Sequence, residues 1–233
     1  SARPRPVPRP DRPARLPLSY AQRRLWFVDA LEGPGASYNI PLVLRPAAPL
    51  DADVLARALT DLSDRHEVLR TRYRSVDGEP HQEVLTGVRP PLDVRTVPAA
   101  RLPEAVAGAA GHVFDLAEDT PLRAALLSPG DDGPHGDGQV LVLLVHHIAA
   151  DGWSTGPLLA DLTTAYRARA EGRAPGWEPL PVQYADYTLW QRDLTDGPAA
   201  RDHLEFWEET LAGAPPVLEL PAARPRPAEA THR

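Results

Sequence analysis

Hydrophobic and polar positions recur along this chain in two periods. From Ser19 the spacing is helical. Leu25, Trp26, Val28 and Leu31 follow a capping box of Ser19 and Gln22, and Gly33-Pro34-Gly35 ends the run. Ile40, Leu42 and Leu44 then alternate as in a strand. Asp51 is placed to cap a second helix that carries Leu55, Leu59 and Leu62 on one face. Leu69, Thr71, Tyr73 and Ser75 alternate with Arg70, Arg72 and Arg74, which predicts a strand with three arginines on one side. Asp77-Gly78 turns it towards a partner around 82–85. A weaker helix is predicted near 103–114 and a strand over 122–127, and 130–138 reads as a polar loop. Residues 139–146 (QVLVLLVH) form an unbroken apolar run, the mark of a central strand buried on both faces. A helix over 157–170 follows, with Leu158, Leu159, Leu162 and Tyr166 inward and Gly172 as its stop. Two more helices are predicted near 182–194 and 199–211. Strands and helices mix throughout without internal repeat, so the class is α/β or α+β.

Composition changes this picture at the two ends. Residues 1–17 hold six prolines and five arginines, and 215–233 are similar. Such segments favour an extended, solvated connector, so 1–17 reads as an interdomain linker. The 233 residues suffice for a sizeable core. The absence of Cys excludes disulfides, thiolate metal sites and a cysteine nucleophile. Val140–Val145 is the longest aliphatic run, too short to span a bilayer, and the Pro/Arg-rich head is not a signal peptide. A net charge of −7 argues against a nucleic-acid partner. All 25 basic residues are Arg and there is no Met, so the chain reads as a piece of a larger, cytoplasmic bacterial protein from a GC-rich source.

The chemistry concentrates where the central strand ends, in His146-His147-Ile148-Ala149-Ala150-Asp151-Gly152-Trp153-Ser154-Thr155-Gly156. Adjacent histidines in extended chain point to opposite sides, which suits no shared metal ion. Gly152 to Gly156 matches the nucleophile pattern G-x-S-x-G, and Asp186 and His203 stand downstream of Ser154 in serine-hydrolase order. An elbow needs strand, turn and helix in immediate succession, whereas five residues separate His146 from Gly152. The residues themselves favour acid–base use of a histidine beside Asp151 and a glycine turn. Trp26, Phe27, Tyr187 and Trp190 read most simply as core aromatics, and Arg70, Arg72 and Arg74 as solvated or salt-bridged.

Four segments together resemble the condensation domains of nonribosomal peptide synthetases. His146-His147-x-x-x-Asp151-Gly152 is that family's HHxxxDG motif. Ser19 to Phe27 is similar to its opening S-x-A-Q-x-R-L-W-F, Arg65 to Tyr73 to R-H-E-x-L-R-T-R-F, and Tyr184 to Gln191 to Y-x-D-Y-x-x-W-Q. The resemblance covers Ser19 to Gln191 in the family's order and spacing.

It implies a chloramphenicol-acetyltransferase-like lobe, a central mixed sheet flanked by helices, as one half of a two-lobed domain. Residues 18–178 would be the N-terminal lobe, and 179–233 the crossover helices and truncated start of the C-terminal lobe. The implied reaction joins a carrier-bound acyl donor to a carrier-bound aminoacyl acceptor, both on 4′-phosphopantetheine arms, with no cofactor bound directly and no membrane or nucleic-acid partner. Upstream and downstream peptidyl carrier domains, the missing lobe and an adjacent adenylation domain would be the partners. By the resemblance His147 is catalytic, Gly152 offers a backbone N–H towards an oxyanion or a turn of unusual φ and ψ, and His146 tunes the loop from inside. Asp151 would be a buried structural carboxylate paired with Arg65 or Arg70. Glu32 to Pro41 and Ile148 to Ser154 look like the subtype joining a D-donor to an L-acceptor, with the L,L subtype next. The alternatives are a non-catalytic carrier-binding or structural module of the same fold, and a hydrolase using Ser154.

Overall fold

The apolar run predicted as a central strand is β7 (Val140–His146) in a computed structural model that describes residues 5–130 and 138–215. It lies between β2 (Asn39–Leu44) and β6 (Leu122–Pro129), antiparallel to both, and β5 (Leu92–Val97) runs parallel to β6. The sheet is therefore mixed. Every residue of β7 is buried. Leu141, Leu143 and Val145 pack under α2 (Ala52–Arg65) and α4 (Thr155–Ala170), where they meet Leu55, Leu59, Leu62, Leu158 and Leu162. Val140 and Val142 face α3 (Leu102–Ala110), and Leu144 packs with Phe114, Leu116 and Ile148. Each buried aliphatic side chain contributes about 2 kcal/mol, so this strand is the stiffest base the lobe has to offer.

A second sheet of three strands has the order β1 (Leu16–Pro17), β4 (Glu79–Val84), β3 (Thr71–Val76). Asp77 and Gly78 join β3 to β4 with φ of 55° and 82°, the double positive φ of a tight hairpin. The strand predicted from Leu69 starts two residues later, because Glu67–Arg70 closes a 3-10 turn in which Leu69 donates to the His66 carbonyl. Arg72 and Arg74 pair with Glu118, and Arg74 also with Glu83.

Asp51 caps α2 by accepting the Val54 N–H, and Ser19 and Gln22 form the expected capping box at α1 (Tyr20–Glu32). The apolar stripe of α1 is less continuous than its spacing predicts. Leu25 and Trp26 pack against the core, whereas Phe27 and Leu31 are exposed. Phe27 follows Trp26 directly, so it points about 100° away around the helix. The expectation of a core aromatic fails there. Tyr187 and Trp190 are half-buried on α5 (Tyr184–Asp196), and their rings form a tilted row with Tyr184.

The described part of the head, from residue 5, is joined to the body. Leu16 is buried opposite Gln82, and Arg12 lies between Glu67 and Asp186. By backbone proximity the chain divides into two units, Ser1–Trp190 and Gln191–Arg233, the second containing α6 (Pro198–Thr210). Leu180, Val182, Gln183 and Tyr184 line the same cavity as the strand-end loop. The predicted polar loop and C-terminal connector fall at 131–137 and 216–233, outside the described residues.

Candidate functional site

Alternation along β7 separates the two histidines. His146 lies on the side of Leu144, 2% exposed, with its ring edge-on to Phe114 at 5.7 Å. Its Nδ1 accepts the Ile148 N–H at 3.1 Å, so the ring is used as an acceptor. Burial, with the neighbouring His147, pushes its pKa down to about 4, and it is neutral at physiological pH. His147 is exposed on the opposite side. Its backbone N–H donates to the Tyr38 carbonyl at 2.8 Å, extending the β2–β7 ladder past the end of the strand. One imidazole is thus structural and the other is presented on a pinned backbone.

The turn that follows closes on itself. Ala149 donates to the His146 carbonyl, and the Asp151 carboxylate accepts the Ser154 hydroxyl at 2.7 Å and the Ser154 N–H at 3.0 Å. The Ser154 hydroxyl holds the Asp151 pKa below its ordinary value against slight desolvation, and the nearby His147 adds to this. Ser154 then leads into α4.

The four motif segments meet behind this loop in one buried polar network. Ser19 Oγ accepts the Gln22 N–H and lies 2.9 Å from the Tyr184 hydroxyl. Gln22 Oε1 accepts the Ser19 N–H, and Nε2 donates to Tyr73 Oη at 3.2 Å and to Gln82 Oε1 at 3.3 Å. Gln82 Nε2 reaches the Pro17 carbonyl and Thr188 Oγ1. Tyr73 Oη in turn donates to the Ile148 carbonyl at 3.5 Å, inside the HHxxxDG loop. Burial raises the Tyr73 pKa strongly, so the phenol stays protonated and can donate.

In front of the loop is an open cavity of about 850 Å³. His147, Asp151, Trp153 and Ser154 line it from the loop, and Val68, Leu69, Leu158 and Val182 supply apolar wall. His66, Gln183 and Tyr184 add polar groups, His66 being hydrogen-bonded through Nε2 to Asp161 Oδ2 at 2.8 Å. Such a mostly apolar cleft with a few placed polar groups suits a small organic substrate. Among the described residues no three His, Asp or Glu side chains converge to hold a metal ion.

The structure brings His146, His147, Asp151 and Gly152 together, but it corrects the expected arginine pair. Asp151 is exposed rather than buried, and its carboxylate is given to Ser154. Arg65 donates to Asp161 at 2.9 Å and to the Glu178 carbonyl, with its guanidinium 4.9 Å from the Trp177 ring centre. Arg70 is bonded to the Leu85 carbonyl and lies 3.9 Å from Glu67. A solvated carboxylate with local donors from the Ser154 hydroxyl and the Ser154 and Trp153 backbones needs no cation, so nothing draws either arginine to it.

Gly152 is a second correction. Its φ lies outside the left-handed region and a Cβ there would meet nothing within 4 Å, so the unliganded fold does not require glycine. The hydrolase arrangement is also absent. Ser154 has φ −72° and ψ −22°, unlike a strained elbow, and Asp186 is held by Arg12. Tyr38, Gln82, Asp161 and Thr188 escaped sequence reasoning; the legible signal was a glutamine at an inward strand position opposite Tyr73.

A family model described as condensation domain matches residues 14–233. Over 97% of its length the chain is 52% identical to a probable non-canonical nonribosomal peptide synthetase of Salinispora arenicola, covering 3% of that protein. It is 49% identical to an isonitrile lipopeptide synthase of Mycobacterium tuberculosis (98% of this chain, 9% of that protein). It is 47% identical to a dimodular nonribosomal peptide synthase of Bacillus subtilis (96% and 10%). Among solved structures, the X-domain from teicoplanin biosynthesis has a TM-score of 0.83 at 34% identity, covering 95% of this chain and 48% of that one. The starter condensation domain of rhizomide synthetase has a TM-score of 0.74 at 20% identity, covering 88% and 49%. The chain thus spans a tenth or less of these curated relatives and about half of the solved chains.

Proposed function

The chain belongs to the condensation-domain family, with that family's chloramphenicol-acetyltransferase-like fold, and from that premise we propose that it forms one wall of an amide-bond-forming acyltransferase site. In this reading 18–178 is the lobe bearing the HHxxxDG loop, and 179–233 supplies the crossover and the start of a facing lobe. Upstream and downstream peptidyl carrier domains present a donor thioester and an aminoacyl acceptor on their 4′-phosphopantetheine arms. An adjacent adenylation domain is a further partner. With a single wall, the lobe by itself gives little turnover.

The amine nitrogen of the acceptor attacks the thioester carbonyl carbon. The C–N bond forms, the C–S bond breaks, the donor arm leaves as a thiolate and the nitrogen gives up one proton. An α-amine has a pKa of about 8, so a useful fraction is already neutral, and prior deprotonation gains little. His147 therefore acts as the tetrahedral intermediate forms, by taking the proton or by holding the amine in line. The exposed Gly152 N–H faces the developing oxyanion, Asp151 shapes the turn through Ser154, and neutral His146 anchors it from inside. The observation that carries this reading is His147: of the paired imidazoles it is the one that opens onto the cavity, on a backbone pinned to Tyr38. The likeness of residues 32–41 and 148–154 to the D-donor subtype extends the proposal to a D-configured donor and an L-configured acceptor.

A second reading, a non-catalytic docking module of the same fold, is favoured by one likeness. A solved complex of the X-domain with OxyB matches this chain with a TM-score of 0.86 at 33% identity. One assay separates the two. The chain joined to its second lobe is given D- or L-aminoacyl donor on one carrier and aminoacyl acceptor on another, and products are read by mass spectrometry. Dipeptide from the D-donor, lost in His147→Ala, is expected. No dipeptide from either donor, with the lobes folded and a carrier still bound, establishes the docking module instead.

A further inference from the structure

We propose that Arg12, in the segment read from sequence as a linker, is a positioning residue for the cavity wall at Gln183–Tyr187. Asp186 is the deepest charged group of that wall, its side chain 3% exposed. Its Oδ1 receives Arg12 Nε at 3.2 Å, Arg12 Nη2 at 2.9 Å and the Arg9 N–H at 3.1 Å. Its Oδ2 receives the Gln183 N–H at 2.8 Å. Burial opposes the charge on Asp186, and these donors outweigh it and hold the pKa below its ordinary value.

The same guanidinium reaches a second element. Arg12 Nη1 donates to Glu67 Oε2 at 2.6 Å, at the start of the 3-10 turn that follows His66. The Glu67 N–H donates to Gln183 Oε1 at 3.1 Å, and Gln183 Nε2 donates to the Arg65 carbonyl at 2.9 Å. Arg12 thus ties together two elements that contribute His66, Val68, Gln183, Tyr184 and Tyr187 to the cavity, without lining it. It stands two residues ahead of the stretch matched by the family model. A planar two-pronged cation suits the task, since one fork holds Asp186 while the other holds Glu67. Loss of that cation removes two charge-assisted hydrogen bonds from a buried carboxylate at the first turn of α5.

The turnover arm of the test rests on the condensation reading; the exchange arm does not. In the complete synthetase, Arg12→Gln is expected to raise KM for the carrier-bound substrate resting on this wall about tenfold, with kcat within about twofold, because His147 is untouched. Amide exchange at 183–187 rises about tenfold while β7 keeps its protection. Arg12→Lys restores part of both effects. Arg12→Gln combined with Asp186→Asn restores part of both, since the buried charge is gone although the amide leaves either the Arg9 or the Gln183 N–H without its acceptor. If Arg12→Gln does not fold, Arg12→Lys and the double variant carry the test. Faster exchange throughout the lobe, an unchanged KM, or no recovery in the double variant overturns the proposal. A wild-type enzyme that forms no dipeptide defeats the condensation reading alone, and unchanged exchange at 183–187 then overturns the role of Arg12.

Discussion

The loop from His146 to Ser154 is held by opposite means on its two sides. Behind it, Gln22, Tyr73 and Gln82 are buried and bonded to one another, and His146 is closed in by Phe114. In front, His147, Asp151 and Gly152 are exposed, Trp153 is 92% exposed, and the carboxylate bonds stay within the turn. Position is set where water is excluded and hydrogen bonds are costly to lose. Chemistry is left where a substrate can displace water. Substitutions behind the loop should therefore act on folding, and those in front on turnover.

The largest expected effect tests the rear. Gln22→Leu leaves the Ser19 N–H and Gln82 Oε1 without their Gln22 partner, and urea unfolding should show a loss of ~4 kcal/mol. A loss under ~1 kcal/mol would mean that the network does not hold the loop. The next effect is a pH dependence of similar origin. His146 has a folded pKa of about 4 against an ordinary 6.5, so the unfolded chain is protonated first as pH falls. Stability contributed by neutral His146 is complete above about 6.5 and declines by ~3 kcal/mol as pH falls to about 4. His146→Gln should flatten that slope, and His147→Ala, which removes only the neighbouring charge, should leave most of it; the reverse result would exchange the roles of the two rings.

The front should respond in the other way. Asp151→Asn keeps an oxygen that accepts from Ser154, so the unfolding free energy should change by no more than ~0.5 kcal/mol. Any fall in dipeptide yield then reports the lost charge beside His147. Gly152→Ala should have the smallest effect on folding, since its Cβ meets open space. A loss of turnover with an unchanged midpoint would place substrate against that position, and unchanged turnover would remove Gly152 from the site.

Much of this comparison was legible in the residues. The unbroken apolar run gave the central strand, the doubled histidine gave one inward and one outward ring, and Ser19, Asp51 and Asp77-Gly78 marked caps and a turn that the structure contains. What escaped depended on partners distant in sequence. β5 has mostly exposed residues between Pro91 and Pro98, so no burial pattern marked it, and only the parallel ladder to β6 makes it a strand. The head looked like a solvated connector because its anchors Glu67, Gln82 and Asp186 lie 55, 65 and 174 residues further on than the residues they hold. The arginine expected for Asp151 was misplaced for the opposite reason. Arg65 lies near the site in space, but Asp161 on α4 and the Trp177 ring claim it first.

β7 also acts as a counting device. Two chemically identical rings receive different duties because one follows Leu144 by two residues and the other follows Val145 by two. Deleting any one residue between Val140 and Val145, with the sheet refilled from the amino-terminal side, moves neither ring. Refilled from the other side, it moves each ring back by one position. The second ring would then take the enclosed place beside Phe114, and the first would enter the buried face under α2 and α4 at the place of Val145. The site thus depends on the tally of residues through the sheet as well as on the identity of the histidines.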